Sequence, residues 1–229
     1  MLAGCYLNVN EAKKRKIFYL IYFLVYFCNV NNKMMTKAEK TKKFIIEQAA
    51  PVYNQKGVAG TNVDDVLEAT KLTKGAIYSH FVNKDDLSMQ VADHLLEKIC
   101  MGIDQVMEKE TTAKGKIFAY LDFNKKPLNT YIKGGCPIFN MAVESDDNNS
   151  GIKPKISEIL SVSQKKFASI LRRGIKNGEF SSALDPDIYA FKMFAAIEGA
   201  LVICRTMNNE RPMQGLIKSL KSELEAYEL

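Results

Sequence analysis

The sequence predicts an all-α protein, and three observations predict it. Alternating runs of Val, Ile and Thr, which mark half-buried strands, are nearly absent. Apolar residues instead recur at helical spacing over long stretches, as in Leu87, Val91, Leu95, Ile99 and Ile103. Finally, the stretch T-N-V-D-D-V-L-E-A-T-K-L-T-K-G-A-I-Y-S-H-F-V-N-K-D-D-L, from Thr61 to Leu87, carries helix starts and stops at close intervals.

The first helix is expected over Lys37 to Lys56. Phe44, Ile45, Ala49, Val52 and Tyr53 form its apolar stripe, and Gly57 closes it. Pro51 should bend it or loosen its last turns. Thr61 is a candidate N-cap for a second helix, with Asp64 completing a capping box, and Val63, Val66 and Leu67 facing inward. The pattern breaks at Thr70-Lys71. Thr73 caps a third helix that opens on Lys74, Gly75 and Ala76. Ile77 and Phe81, four apart, face the core, which leaves Lys74, Tyr78 and His80 pointing outward. Asn83 caps the fourth helix, and Asp85 and Asp86 suit the positive end of its dipole. That helix should run from Lys84 to about Glu108. A helix, a short turn and a second helix with a polar outer face make a helix-turn-helix, whose second helix lies in a DNA major groove.

From about Glu110 a helical bundle is expected. It contains a short helix over Lys116 to Phe123, a further turn or two over Pro127 to Tyr131, and a break at Gly134-Gly135. Pro137 restarts the chain at a first helical position, and Asp146 to Gly151 is a polar loop. A long helix over Ile152 to Asn177 carries Ile156, Ile159, Leu160, Phe167, Ile170, Leu171 and Ile175 and stops at Gly178. Asp185-Pro186 starts the next, with Phe191, Phe194, Ala195, Ile197, Ala200, Leu201 and Ile203 in its apolar pattern. A last helix covers about Met213 to Tyr227. Both long helices look too apolar for one chain to cover. Ala195, Ala196, Gly199 and Ala200 would let a second copy approach closely, with Phe167 contributing from the other helix.

Composition narrows the chemistry. The five cysteines are scattered with no zinc spacing, and an odd, dispersed set suits a reducing cytosol. With two histidines, no phosphate-cradling glycine motif and no nucleophile elbow, no enzyme, metal or cofactor is expected. The net charge of +6 is weak evidence for an acidic partner. Residues 1–35 contribute +4 of it, from Lys13, Lys14, Arg15, Lys16 and Lys33 against Glu11. Lys37, Lys40, Lys42 and Lys43 crowd the first helix, which is also how a solvated face looks.

The segment T-K-G-A-I-Y-S-H-F-V-N-K-D-D-L resembles the recognition-helix signature of the TetR family of bacterial repressors. The likeness is gap-free over Thr61 to Leu87 and extends back through Lys37 to Gly60. More loosely, G-C-P-I-F-N-M-A-V-E through K-N-G-E-F resembles the ligand-binding half of one subgroup. The resemblance implies a cytoplasmic homodimer on a pseudo-palindromic double-stranded DNA operator, released by an unidentified small molecule. It assigns phosphate contacts to Thr61, Lys74, Tyr78, His80 and Lys84, and base readout to the exposed turn Thr73, Lys74, Gly75 and Ala76. At the turn position often held by Gly this chain has Lys71, which implies a positive φ. The implied effector pocket lies among the later helices, with Phe118, Phe123, Tyr131, Phe139 and Met141 as candidate lining. Cys136, between Gly135 and Pro137 at a helix start, is either a small capping residue or a redox sensor whose thiol the dipole activates. Cys100 and Cys204 read as core residues.

The domain reading is therefore a leader over 1–34, a DNA-binding part over 35–83, and a ligand-binding and dimerisation part over 84–229. In the leader, K-K-R-K precedes the apolar run Ile17 to Cys28. The run is shorter than the roughly 20 residues that span a bilayer, and no small-residue cleavage site follows. Three readings stay open. The leader is upstream sequence ahead of a true start at Met34 or Met35, which would leave a chain of ordinary family length, or a membrane anchor for a tethered regulator, or an uncleaved extension.

Overall fold

A computed structural model describes residues 35–147 and 151–229. The leader and its apolar run 17–28 lie outside the described residues. The chain divides into two units between Thr41 and Lys42. In the first, a capping box opens a helix: the Thr36 N–H and hydroxyl donate to Glu39 at 2.8 and 2.9 Å, and the Glu39 N–H donates back to the Thr36 hydroxyl.

Among the described residues the secondary structure is helical, apart from one isolated bridge between Phe180 and Glu228. The helices are α1 (Lys37–Gly60), α2 (Val63–Thr70), α3 (Lys74–Tyr78), α4 (Lys84–Met107), α5 (Ala113–Phe123), α6 (Pro137–Ser145), α7 (Lys153–Lys176), α8 (Pro186–Thr206) and α9 (Arg211–Glu225). Helix α1 runs through Pro51 without a break, and the Gln55 side-chain amide donates to the Pro51 carbonyl at 2.7 Å. Its backbone leaves helical values at Gly57 (φ 78°, ψ 170°), as the terminating glycine requires. Thr112 caps α5, three residues earlier than expected, and Asp185 caps α8 through two backbone N–H groups. The turn expected over 127–131 is not helical. Residues 124–136 form an irregular loop.

Two apolar clusters make the core. One joins α1, α2, α3, α4, α6 and the start of α7, around Ile45, Tyr53, Val66, Ile77, Phe81, Leu87, Leu95 and Ile138. The other joins α5, α7, α8 and α9, around Ile117, Tyr120, Phe167, Leu171, Met193, Ile197, Met213 and Leu224. Ile103, Cys136 and Leu160 pack against both. Helix α4 is unbroken over 24 residues, about 36 Å, and contributes Leu87 to Ile99 to the first cluster and Met107 to the second. Phe44 and Ile203, expected in the core, are exposed, and Phe191 is 65 % exposed. Phe191 and Ile203 belong to an apolar side of α8 that the fold leaves uncovered, whereas Phe44 stands alone among the exposed Lys43, Glu47 and Gln48.

Candidate nucleic-acid interface and effector cavity

Helix α2 starts one residue later than the sequence suggested. Asn62 is its N-cap: the Asn62 side chain accepts from Asp65 N at 2.9 Å, and the Asp65 carboxylate accepts from Asn62 N at 3.0 Å. The Lys56 ammonium pairs with the same carboxylate at 2.6 Å, and these contacts hold the Asp65 pKa below the usual range. Thr61 is 0 % exposed, and its hydroxyl donates to the Gly57 carbonyl at 2.6 Å. It fastens the turn after α1 and is not placed to touch a phosphate, which corrects that assignment.

The turn into α3 uses Lys71 in the left-handed region (φ 57°, ψ 25°), with its N–H donating to the Leu67 carbonyl at 2.8 Å. Thr73 then caps α3, its hydroxyl accepting from Ala76 N. Ile77 and Phe81 are buried and anchor the short helix. Thr73, Lys74 and Gly75 are exposed, and Ala76, Tyr78 and His80 are half-buried. A Cβ built on Gly75 meets nothing, so the surface there is open to close approach. His80 falls in the turn after α3 and not within it. Lys84 is half-buried at the first position of α4, behind the Asn83 cap. Apart from Thr61, the sequence-predicted DNA contacts therefore occupy one short segment, exposed at Thr73 to Gly75 and half-buried at the rest.

Sequence reasoning missed the link from this motif to the later helices. The Glu144 carboxylate on α6 accepts from Val58 N at 2.8 Å and from Ala59 N at 2.6 Å. Asn54 on α1 donates to the carbonyls of Lys133 and Gly135, and Asn140 on α6 donates back to Asn54 and to Gly134. Gly134 and Gly135 both have positive φ (111° and 100°), and Cβ atoms there would run into Asn54 and Arg205. The Gly-Gly break was legible in the sequence. Its partners, 81 residues or so distant along the chain, carried no local signal.

The later helices border two adjoining, partly open cavities. One, of about 20 Å³, is lined by Ile99, Ile103, Tyr120, Phe123, Tyr131, Ile132, Cys136, Glu198 and Leu201 among others. The second, of about 130 Å³, shares Ile103, Tyr120, Cys136 and Glu198 and adds Ile138, Val162, Phe167 and Phe194. Of the predicted lining residues, Phe123 and Tyr131 are in place, with ring centroids 5.4 Å apart. The other three do not line these cavities. Phe118 lies beneath the ammonium groups of Lys114 and Lys221, at 5.4 and 4.7 Å from the ring centre. Met141 is buried in the cluster shared with α1 to α4, and Phe139 is half-buried on α6. Helical spacing marked these residues as apolar but not which cluster they join.

Cys136 is the N-cap of α6, as expected. Its thiol is not activated. Burial, and then the neighbouring Glu198, push its pKa well above the ordinary value, and burial raises Cys100 to about 11. Burial therefore outweighs the helix dipole, and the low-pKa premise of the redox reading fails. Glu198 is 3 % exposed, and burial lifts its carboxyl to about 7, partly offset by a hydrogen bond donated by the Cys136 thiol. Its sequence signal is an acid set inside the apolar run F-A-A-I-E-G-A-L-V-I.

On α8, Ile188, Phe191, Ala195 and Val202 are exposed at helical spacing, with Gly199 on the same face and open space around it. Ala196 and Ala200 are half-buried, and Ala200 packs on the chain's own core. Phe167 was expected at a subunit contact. It is only 3 % exposed, with its ring 4.5 Å from that of Tyr120 inside the same chain, so it is not available to a partner. The exposed side of α7 is mostly Ser, Lys and Arg, with Val162 as its exposed apolar exception.

Among the described residues, no helix is long and apolar enough to cross a membrane, and no His, Cys, Asp and Glu cluster could hold a metal ion.

Comparisons with known proteins agree with this geometry. The family profile for bacterial regulatory proteins of the tetR family matches residues 45–90, and that for the tetracyclin repressor-like C-terminal domain matches residues 116–220. A TetR family transcriptional regulator from Cytophaga hutchinsonii is 31 % identical, with a TM-score of 0.76 over 86 % of this chain and 99 % of that one. A TetR regulator from Chloroflexus aurantiacus is 29 % identical, with a TM-score of 0.79 over 85 % and 98 %. The HTH-type transcriptional repressor DhaR of Mycobacterium sp. (strain GP1) is 22 % identical over 75 % of this chain and 86 % of its own. The chain belongs to the TetR family of DNA-binding transcriptional regulators.

Proposed function

We propose that the protein is a cytoplasmic repressor that binds a pseudo-palindromic operator as a homodimer and is released by a small-molecule effector. Residues 35–83 form the DNA-binding part, and 84–229 the effector-binding and dimerisation part. Thr73, Lys74, Gly75 and Ala76 meet base edges, while Tyr78, His80 and Lys84 clamp phosphates. The uncovered face of α8, with Ala195 and Gly199 at its centre, pairs with its symmetry mate. That pairing sets the two recognition helices about one DNA turn apart, roughly 34–36 Å.

The observation that carries the effector reading is helix α6. Its first turn begins at Cys136 on the cavity wall, and near its last turn Glu144 holds the backbone of Val58 and Ala59, just before the helix-turn-helix. A ligand that displaces Cys136 moves α6 as a unit and drags the DNA-binding motif with it. The test is operator binding by the wild type and by Glu144→Ala as an effector is added. Release that is lost or blunted in the variant supports the reading; unchanged release overturns it.

A further inference from the structure

We propose that Glu198, Tyr120 and Cys136 form the recognition point for a small primary amine, of one ring or a short chain, bound as its ammonium ion. The inference rests on the effector reading above and names the chemistry of that site.

Two buried polar atoms here lack a protein partner among the described residues: Glu198 Oε2 and the Tyr120 hydroxyl oxygen. Buried groups of this kind are normally hydrogen-bonded, and an unpaired one marks a place where a partner belongs. Both line the two adjoining cavities, so the space for that partner is present. Much of the remaining wall is apolar, with Ile103, Ile138, Phe167 and Phe194, and polar groups including Asp104, Ser163 and Lys166 complete the larger cavity.

The sign of the ligand follows from the carboxyl. A lone carboxylate in an apolar site takes up a proton, and Glu198 is held near neutral pH in this way. An ammonium ion supplies the missing counter-charge and three N–H donors, enough for both Glu198 Oε2 and the Tyr120 oxygen. An alcohol offers one donor and no counter-charge, and a carboxylate ligand offers neither an N–H donor nor a counter-charge. Facing the site are Cys100 and Asp104 from α4, Tyr120 from α5, Lys126, Tyr131 and Cys136 from the loop, and Lys166 from α7. Lys166 is already paired with Asp104. Size is set by the larger cavity: at about 130 Å³ it compares with a dry cavity of about 150 Å³ that accepts benzene. Binding at neutral pH ionises Glu198, and its proton leaves to solvent.

The test is calorimetry of the full chain with benzylamine at about pH 6.5, in buffers of differing ionisation enthalpy, beside benzyl alcohol and benzoate. The expected result is one benzylamine per chain with proton release. Glu198→Gln and benzyl alcohol should each weaken binding by roughly tenfold or more, and Tyr120→Phe by severalfold. Benzoate should not bind. Circular dichroism confirms that the variants are folded, and if Glu198→Gln is not, Tyr120→Phe decides. The proposal is overturned by equal benzylamine affinity in the folded variants, by benzyl alcohol binding as tightly, or by no benzylamine binding at millimolar concentration. Operator affinity, measured in parallel, separates the two readings. Benzylamine that binds through Glu198 without loosening DNA leaves this site standing and overturns effector release.

Discussion

Glu144 Oε2 accepts the backbone N–H of Val58 at 2.8 Å, across 86 residues of sequence. With the companion bond from Ala59, it ties α6 to the turn that leads into the helix-turn-helix. Gly57 sits beneath the same carboxylate, where a Cβ would come within 2.9 Å of Oε2. Glu144→Ala should cost about 1–3 kcal/mol, since it strands donors that the fold has partly withdrawn from water. Gly57→Ala should destabilise by a comparable amount, because its φ of 78° and the carboxylate both oppose a side chain. Urea denaturation of both variants checks this. Midpoints equal to that of the wild type would show that the link bears no load.

The DNA contacts should separate by kind. Tyr78→Phe and Lys84→Ala should weaken binding to all sequences alike. Loss of the Lys84 charge should lower the salt slope by about 0.9 per chain, hence by roughly two for a Lys84→Ala dimer, while Tyr78→Phe leaves the slope unchanged. Anisotropy titrations over a range of salt concentrations measure this, and an unchanged slope would remove Lys84 from the backbone.

Gly199→Leu tests the dimer face. Because nothing lies near a Cβ at this position within the chain, the added bulk should leave the fold intact and obstruct only a second copy. Sedimentation should then find a folded monomer with weak operator binding. A folded dimer that binds DNA normally would exclude this face.

Glu198 makes stability depend on pH. Its folded pKa of about 7 lies above the ordinary 4.5, so between these values the folded state holds more protons than the unfolded. Stability from this group is therefore full below about pH 4.5 and is lost as pH rises through about 7, at up to about 1.4 kcal/mol per pH unit. Glu198→Gln removes the titration. The difference in melting temperature between variant and wild type should grow in the variant's favour from pH 5 to 8, and a constant difference would contradict the burial of this charge.

The helix-turn-helix was legible because local chemistry writes it. The Thr73 and Asn83 caps, the left-handed Lys71 and the buried pair Ile77 and Phe81 all stand where spacing put them. The sequence places this cap at Thr61, one residue before Asn62, because T-N-V-D-D satisfies a capping pattern in either register, and the inward turn of Thr61 decides between them. The effector half was less legible. Apolar spacing cannot say whether Phe118 meets a cavity or two lysines, or whether Phe167 faces its own core or a partner. Long-range partners such as Glu144 with Val58, or Asn54 with Asn140, leave no periodic trace at all.

The central claim is that α3 reads an operator from both halves of a dimer. Selection of bound sequences from a random DNA pool, with the wild type and with Lys74→Ala in parallel, tests it most directly. The account predicts a pseudo-palindrome with half-sites about one helical turn, roughly 10 base pairs, apart. In the variant, preference should relax at one and the same position of each half-site, by about 1–3 kcal/mol. No enriched sequence, or a palindrome untouched by the loss of Lys74, would contradict it.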